Sequence, residues 1–236
     1  MREMYLDHAA TTYLDPRVKI AMEPFWESEF GNPSSLYRPG RRAKEALDAA
    51  RETMARILRC KPEELIFTGG GTEAINLAIF GIARMYGDKG KHIITSAIEH
   101  HAVLHSCEAL QKEGFRITYL PVDEDGLVDP EVVRRAIEQD TILVSIMYAN
   151  NEIGTIEPIP EIAKIIKDIR AERKTAGNQA PIYFHTDACQ AAGALEMDVE
   201  KLGVDLLVIN GSKMYGPKGV GCLYLKRGVR VRPIIH

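Results

Sequence analysis

Residues 205–224 read DLLVINGSKMYGPKGVGCLY. The apolar run 206–209 predicts a buried strand. It stops at Asn210-Gly211-Ser212-Lys213, passes through the turn-forming Gly216-Pro217-Lys218-Gly219, and enters a second apolar run. A lysine therefore stands in a tight loop just past a buried strand. A surface lysine needs no such setting. A lysine that reaches a ligand phosphate, or bonds covalently to a carbonyl, does.

Working outward, the same alternation fills the chain. Short apolar runs predict strands over 65–67, 92–95, 116–120, 141–147, 182–186, 205–209 and 221–225. Helical patterns fall between them over 72–85, 101–113, 130–139 and 159–173. A long amphipathic helix precedes them over 41–58, where Ala43, Ala46, Leu47, Ala50, Met54, Ile57 and Leu58 keep the 3.6-residue period. Asp15-Pro16 and Asp129-Pro130 each pair an N-cap with a first-turn proline. The first of these predicts a helix to about Glu27. Alternating strands and helices imply an α/β fold, with a mostly parallel mixed sheet of about seven strands flanked by helices. The polar stretch 170–181, RAERKTAGNQAP, reads as a solvated loop. The expected organisation is an arm over 1–14 and one domain over 15–236.

Composition narrows the function classes. Of 236 residues, 45% are hydrophobic and 27% charged, which is ordinary for a globular chain with a sizeable core. The net charge of −3, without a basic block, argues against nucleic acid as a partner. No apolar stretch reaches the roughly 18 residues of a membrane span, and the first eight residues carry no signal-peptide core. A cytoplasmic protein is expected. Cys60, Cys107, Cys189 and Cys222 are scattered and form no CxxC pair, so free thiols are expected. The apolar stretch VRVRPII runs to within one residue of His236, which is expected of the front part of a longer protein.

In parallel sheets ligands gather beyond the carboxyl ends of the strands. After 65–67 comes Thr68-Gly69-Gly70-Gly71-Thr72 and then a helix. Glycines and a helix N-terminus make an anion cup, and Thr72 adds a hydroxyl. The P-loop lysine is missing. Gly69, Gly71 and Ala74 also fit G-x-G-x-x-A, so a dinucleotide remains an alternative, as does a plain tight turn. After 92–95 come Glu99 and His100; an imidazole there can stack on a flat ring, move a proton, or simply be a loop histidine. His101 and His105 have helical metal-ligand spacing but no third partner, and read as a solvated face. Asn150-Asn151 are either turn formers or ligand donors. Asp187, directly after an apolar strand, is either a cap or a carboxylate paired with a ring nitrogen.

The anion cup, ring-stacking histidine, strand-end acid and loop lysine together match the needs of one cofactor, pyridoxal 5'-phosphate. It needs a phosphate seat, an acid for its pyridine nitrogen and an amine for its aldehyde. That amine must shed its proton, so a pKa below the ordinary value of about 10.4 is expected for Lys213.

The sequence also resembles the class V aminotransferase family and, within it, the cysteine desulfurases that supply sulfur for iron–sulfur clusters. The matching stretches are YLDHAATT (5–12), GNPSS (31–35), FTGGGTE (67–73), EHHAV (99–103), NNEIGT (150–155), HTDACQ (185–190) and SKMYGPKG (212–219). The resemblance implies the large domain of a fold type I pyridoxal phosphate enzyme, working as a homodimer on L-cysteine. Sulfur would pass to an iron–sulfur scaffold or another acceptor protein. Lys213 would carry the cofactor and take the α-proton. Gly71 and Thr72 would hold its phosphate. His100 would stack on the ring and relay protons. Asp187 would pair with the pyridine nitrogen, Gln190 with the phenolic oxygen, and Asn151 with that oxygen or the substrate carboxylate. His8 receives no role. Three departures stand out. Ser212 replaces the family's usual histidine before the lysine, a changed phosphate contact. The loop at 170–181 is longer than usual. The family's nucleophilic cysteine, a substrate-binding arginine and a threonine lent by the partner subunit lie beyond the region matched, and none of the four cysteines corresponds to that nucleophile. Other readings are a selenocysteine lyase or other class V enzyme, an inactive cofactor-binding domain, and a nicotinamide-dependent oxidoreductase with Glu99 as a late ribose acid.

Overall fold

The structure is a computed structural model that describes residues 4–236; residues 1–3 of the expected arm lie outside the described residues. Seven strands form one sheet: β1 (Leu65–Thr68), β2 (His92–Ser96), β3 (Arg116–Leu120), β4 (Thr141–Ser145), β5 (Tyr183–Asp187), β6 (Leu206–Asn210) and β7 (Gly221–Leu225). Their order is β1-β7-β6-β5-β4-β2-β3. β7 runs antiparallel to both neighbours and the other pairs are parallel. Six strands therefore point the same way and β7 alone returns. The carboxyl ends of β1, β6, β5, β4 and β2 share one edge. β2 and β4 are buried along their whole length, as expected of parallel strands covered on both faces.

Among the described residues there are eight helices: α1 (Pro16–Met22), α2 (Pro24–Glu27), α3 (Arg38–Leu58), α4 (Gly71–Tyr86), α5 (His101–Lys112), α6 (Pro130–Ala136), α7 (Ile159–Thr175) and α8 (Val199–Leu202), of which α1 and α2 bury no residue. One core joins α4 and α5 to the sheet through Ala74, Ile75, Ile79, Val103 and Leu110, packed with Leu143 and Val208. The other joins α3, α6, α7 and α8 to the opposite face through Leu58, Val133, Ile162, Ile166 and Leu202, around Phe184. Each fully buried side chain of this size contributes about 1.5–3 kcal/mol. The caps fall where the sequence puts them. The Asp15 carboxylate accepts from the Arg17 N–H at 2.8 Å, and that of Asp129 from the Glu131 N–H at 2.8 Å.

Several expectations are corrected. The first helix breaks at Glu23, because Pro24 cannot donate to the preceding turn. The long helix starts at Arg38, with Pro39 in its first turn. α6 stops at Ala136 and β4 at Ser145. The short α8, capped by Asp198, was not expected. The segment at 170–181 is not a solvated loop throughout: α7 continues to Thr175. Arg173 is 6% exposed, and its guanidinium donates to the carbonyls of Thr141, Glu138 and Ala180. Arg170 pairs with the buried Asp205 carboxylate. Both arginines latch α7 to the sheet.

Candidate functional site

Each candidate residue ends or follows a strand that stops on the shared edge: Gly71 and Thr72 after β1, Ser212 and Lys213 after β6, Asp187 as the last residue of β5 and Gln190 after it, Asn151 after β4, and His100 after β2. Neighbouring strands lie about 4.8 Å apart, so the β5 and β6 ends are one such step apart and the β1 and β6 ends two.

The anion cup is built as the glycines require. Gly70 has φ +152° and ψ 177°, a region essentially closed to side chains, and caps α4. A Cβ on Gly71 would come within 2.9 Å of Cys189 Sγ, so only glycine lets α4 start this close to β5. Gly69–Thr72 then line an open cleft of about 580 Å³ together with Asn210, Ser212 and Lys218. The loops after β1 and β6, some 140 residues apart in sequence, thus close on one space with free helix N–H groups at one wall. Asn210 and Lys218 line it although neither was singled out in the sequence. Lys218 returns a cation to a cup that has no P-loop lysine.

Lys213 ends the 3₁₀ turn Gly211–Lys213, whose cap is Asn210: its carboxamide oxygen accepts from the Ser212 N–H at 3.2 Å. The half-buried Lys213 amine donates to the carbonyls of Ala9 and Ala10 in the amino-terminal arm, the latter at 2.8 Å. The arm is laced to the lysine loop at further points. Thr12 N–H donates to Ser212 O at 2.8 Å, Tyr215 N–H donates to Thr12 Oγ1 at 2.8 Å, and Asp15 N–H donates to Tyr215 O at 3.0 Å.

Asp187 is 6% exposed and has no ion-pair partner among the described residues. One carboxylate oxygen accepts from the Cys189 N–H at 2.9 Å, a cap of the turn that follows β5. The Cys189 thiol beside it is raised well above its ordinary pKa by burial and by the Asp187 charge; the Lys213 ammonium opposes that rise. Lys213, Asp187, Cys189 and Gly71 therefore form one neighbourhood. Gln190 Oε1 is buried without a partner among the described residues, an atom that asks for a ligand or a water.

His100 caps α5: its Nδ1 accepts from the Ala102 N–H at 3.0 Å, which leaves Nε2 as the N–H of the neutral ring. The exposed ring lies at the β2 end, edge-on to that of His101 with 6.3 Å between centroids. The two asparagines divide the roles the sequence left open. Asn150 is the turn former, its Oδ1 accepting from the N–H groups of Glu152 and Ile153 at 2.8 and 3.1 Å. The Asn151 side chain makes no hydrogen bond within the described residues. His101 and His105 are exposed on α5.

The chain matches the family profile described as Aminotransferase class-V over residues 4–234. It is 54% identical over 235 residues to "Cysteine desulfurase IscS" of Dictyoglomus turgidum, covering 100% of this chain and 57% of that protein. It is 46% identical over 232 residues to "Cysteine desulfurase, mitochondrial" of Drosophila melanogaster, covering 98% of this chain and 48% of that protein. Among solved structures, a "NIFS-like protein" superposes with a TM-score of 0.93 at 38% identity, covering 100% of this chain and 62% of that one. A structure described as "SspA in complex with cysteine" superposes with a TM-score of 0.91 at 38% identity, covering 98% and 64%. The chain spans about half the length of the curated relatives it matches. With the profile matched along nearly all its described residues, on a seven-stranded sheet shared with those structures, the chain belongs to the class-V aminotransferase family.

Proposed function

We propose that this chain supplies the pyridoxal phosphate-binding part of a cysteine desulfurase, which converts L-cysteine to L-alanine and passes the sulfur to a cysteine thiol. The observation that carries the reading is the closure of the α4 N-terminus and the Ser212–Lys218 loop on one cleft, with Lys213 in that loop and Asp187 bonded to Cys189, whose Sγ would lie 2.9 Å from a Cβ on Gly71. The residues fit the group. Gly71, Thr72 and Ser212 offer N–H and hydroxyl donors to a phosphate, Asp187 is a buried carboxylate without an ion pair among the described residues, and Gln190 has an orphaned polar atom. When bound, pyridoxal phosphate supplies an aldehyde for amine exchange and a ring that takes up the electron pair left by α-proton loss.

The chain's own residues then act as follows. Lys213 would leave the arm carbonyls to hold the cofactor through its aldehyde and, once the substrate amine has taken its place there, receive the α-proton on its freed amine. Asp187 would hold the ring nitrogen protonated. The free Asn151 amide orients the phenolic oxygen or the substrate carboxylate, and Gln190 the phenolic oxygen. His100 covers the ring and relays protons. The sulfur-accepting thiol is assigned to none of the four cysteines. Burial raises Cys60 and Cys107 to about 12 and Cys222 to about 11, and Cys189 also stays a thiol.

The reading includes an arm over 1–14 and a cofactor-binding large domain over 15–236. It also includes a homodimer, a sulfur acceptor such as an iron–sulfur scaffold, and a cytoplasmic location. Support comes from relatives named cysteine desulfurases, and from the neighbour described as holding cysteine. No helix among the described residues is long and apolar enough to cross a membrane. The test is a visible absorption titration with pyridoxal phosphate. A band that borohydride bleaches, that L-cysteine shifts, and that Lys213→Ala lacks is expected. No band, or one unchanged in Lys213→Ala, refutes the reading.

A further inference from the structure

The sheet's chain path divides between β4 and β2. From β2 the chain proceeds to the edge strand β3, and from β4 it proceeds the other way to β5. The β2–β4 ladder ends at the pair Thr95 and Ser145. Beyond it the chain leads into α5 after β2 and toward α7 after β4, the kind of switch point at which open α/β sheets bind ligands. Two side chains bridge the two loops in opposite directions. Glu99, on the β2 side, reaches over so that its Oε1 accepts from the Met147 N–H at 2.8 Å, as well as from Ser96 Oγ at 2.8 Å. Asn150, on the β4 side, reaches back and donates from Nδ2 to the Ile98 carbonyl at 2.9 Å. The next residues along are His100 and Asn151, whose outer groups carry no such ties.

Glu99 is 5% exposed and forms no ion pair among the described residues. Oε1 is spent on two donors, and Oε2 is buried with no partner among the described residues. An ionised carboxylate held so would be a buried charge without a cation. The groups facing it deepen that cost. Asp187 at the β5 end and Glu157 before α7 are acidic, and Cys107 on α5 is a thiol that an ionised Glu99 would push further up. Burial, with those two acids, lifts Glu99 to about 8.

We propose that Glu99 is a positioning residue of the cofactor site, held as the neutral acid, which with Asn150 clasps the β2 and β4 loops and so sets His100 and Asn151 on the two sides of the pocket. This rests on the pyridoxal phosphate reading of that pocket. Neutrality is part of the function: Glu99 then adds no negative charge beside Asp187. Ionised Glu99 would add a second negative charge there and loosen the loops it joins.

The test compares wild type, Glu99→Gln and Glu99→Ala, with Lys213→Ala as the control for cofactor bonding. In the protein without cofactor, urea unfolding is followed from pH 5 to 9. The folded chain keeps a proton on Glu99 that the unfolded chain, with an ordinary value near 4.5, has released. Wild-type stability should therefore fall relative to Glu99→Gln as pH rises toward 8, by about tenfold per pH unit in the folding constant. Pyridoxal phosphate affinity is then titrated from pH 6.5 to 9. Glu99→Ala should lose at least about tenfold throughout. Glu99→Gln should recover most of that loss and lack the decline that wild type shows above pH 8.

Parallel stability profiles of wild type and Glu99→Gln overturn the neutral acid. Equal affinity of Glu99→Ala and wild type overturns the clasp. If wild type forms no borohydride-sensitive bond at all, the cofactor reading fails separately, and with it the positioning role; the unfolding series still decides the protonation. Should the variants not fold, infrared spectra of wild type decide the protonation: a buried carboxylic acid stretch at pH 7 that fades above pH 8 supports it, and its absence overturns it.

Discussion

Placing a methyl group on Gly71 tests how α4 meets β5. A Cβ there would lie 2.9 Å from Cys189 Sγ and 3.4 Å from Asn210 Cβ and Nδ2. The asparagine contacts are tolerable, but the sulfur contact is not. Ordinary carbon contacts begin near 3.5 Å, so the thiol or the helix start must move by about half an ångström or more. Cys189 is 9% exposed and its N–H is tied to Asp187, so it has little room. Overpacking of this kind costs about 1–3 kcal/mol. Alanine's helix preference over glycine, at most about 1 kcal/mol, offsets part of it. The Gly71→Ala variant should therefore lose about 0.5–2 kcal/mol net. Cys189→Ala removes the sulfur, so the double variant should recover what Gly71→Ala loses, with a coupling energy of about 1–2 kcal/mol. Urea unfolding of the four proteins of the cycle measures this. A Gly71→Ala protein as stable as wild type, or additive losses in the double variant, would refute the packing argument.

Three further outcomes follow from other buried groups. His185 is fully buried, bonded through Nδ1 to Ser145 Oγ at 2.8 Å, and lowered to about 3 by burial. Below its ordinary value of 6.5 the unfolded chain takes up a proton that the folded chain refuses. Stability is thus present above that value and lost as pH falls toward 3, by up to about 1.4 kcal/mol per pH unit. His185→Gln should remove one proton from the acid limb of a pH-resolved urea series, and an unchanged slope would contradict this. Arg173→Met should cost about 2–4 kcal/mol by leaving buried carbonyls without donors, seen as a lower melting temperature; a neutral result would show that water replaces the guanidinium. Thr12→Val keeps the shape but removes the hydroxyl that joins Ser212 O and Tyr215 N–H. Limited proteolysis should then cut the arm faster, and an unchanged rate would mean the backbone bonds suffice.

Much of the sheet was legible because its physics is local. Apolar runs bounded by turn residues gave all seven strands, and the Asp-Pro pairs gave two helix starts. The break at Pro24 was also written in the letters, since a proline eight residues past Pro16 cannot sit inside one helix. Arg173 was hidden because its partners are carbonyls from two other segments, and a basic residue in a polar stretch looks solvated. The site was legible as residue types after strands. What the letters could not show is how those loops meet. Asn210 and Lys218 join Thr72 only through the β1-β7-β6 order. Asn150 and Asn151 are neighbours of one chemical type, and only the fold assigns one to the turn and leaves the other free. Glu99 carried a faint signal, an acid three residues past the end of a short strand, but its meaning depends on β4 lying beside β2.

The claim beneath the rest is that the Lys213 amine is the group that bonds pyridoxal phosphate. Borohydride reduction of the protein with the cofactor, followed by peptide mapping by mass spectrometry, tests it directly. A single adduct on the peptide that contains Lys213 is the outcome the account predicts. An adduct on Lys218 or another lysine instead, or no adduct, would contradict it.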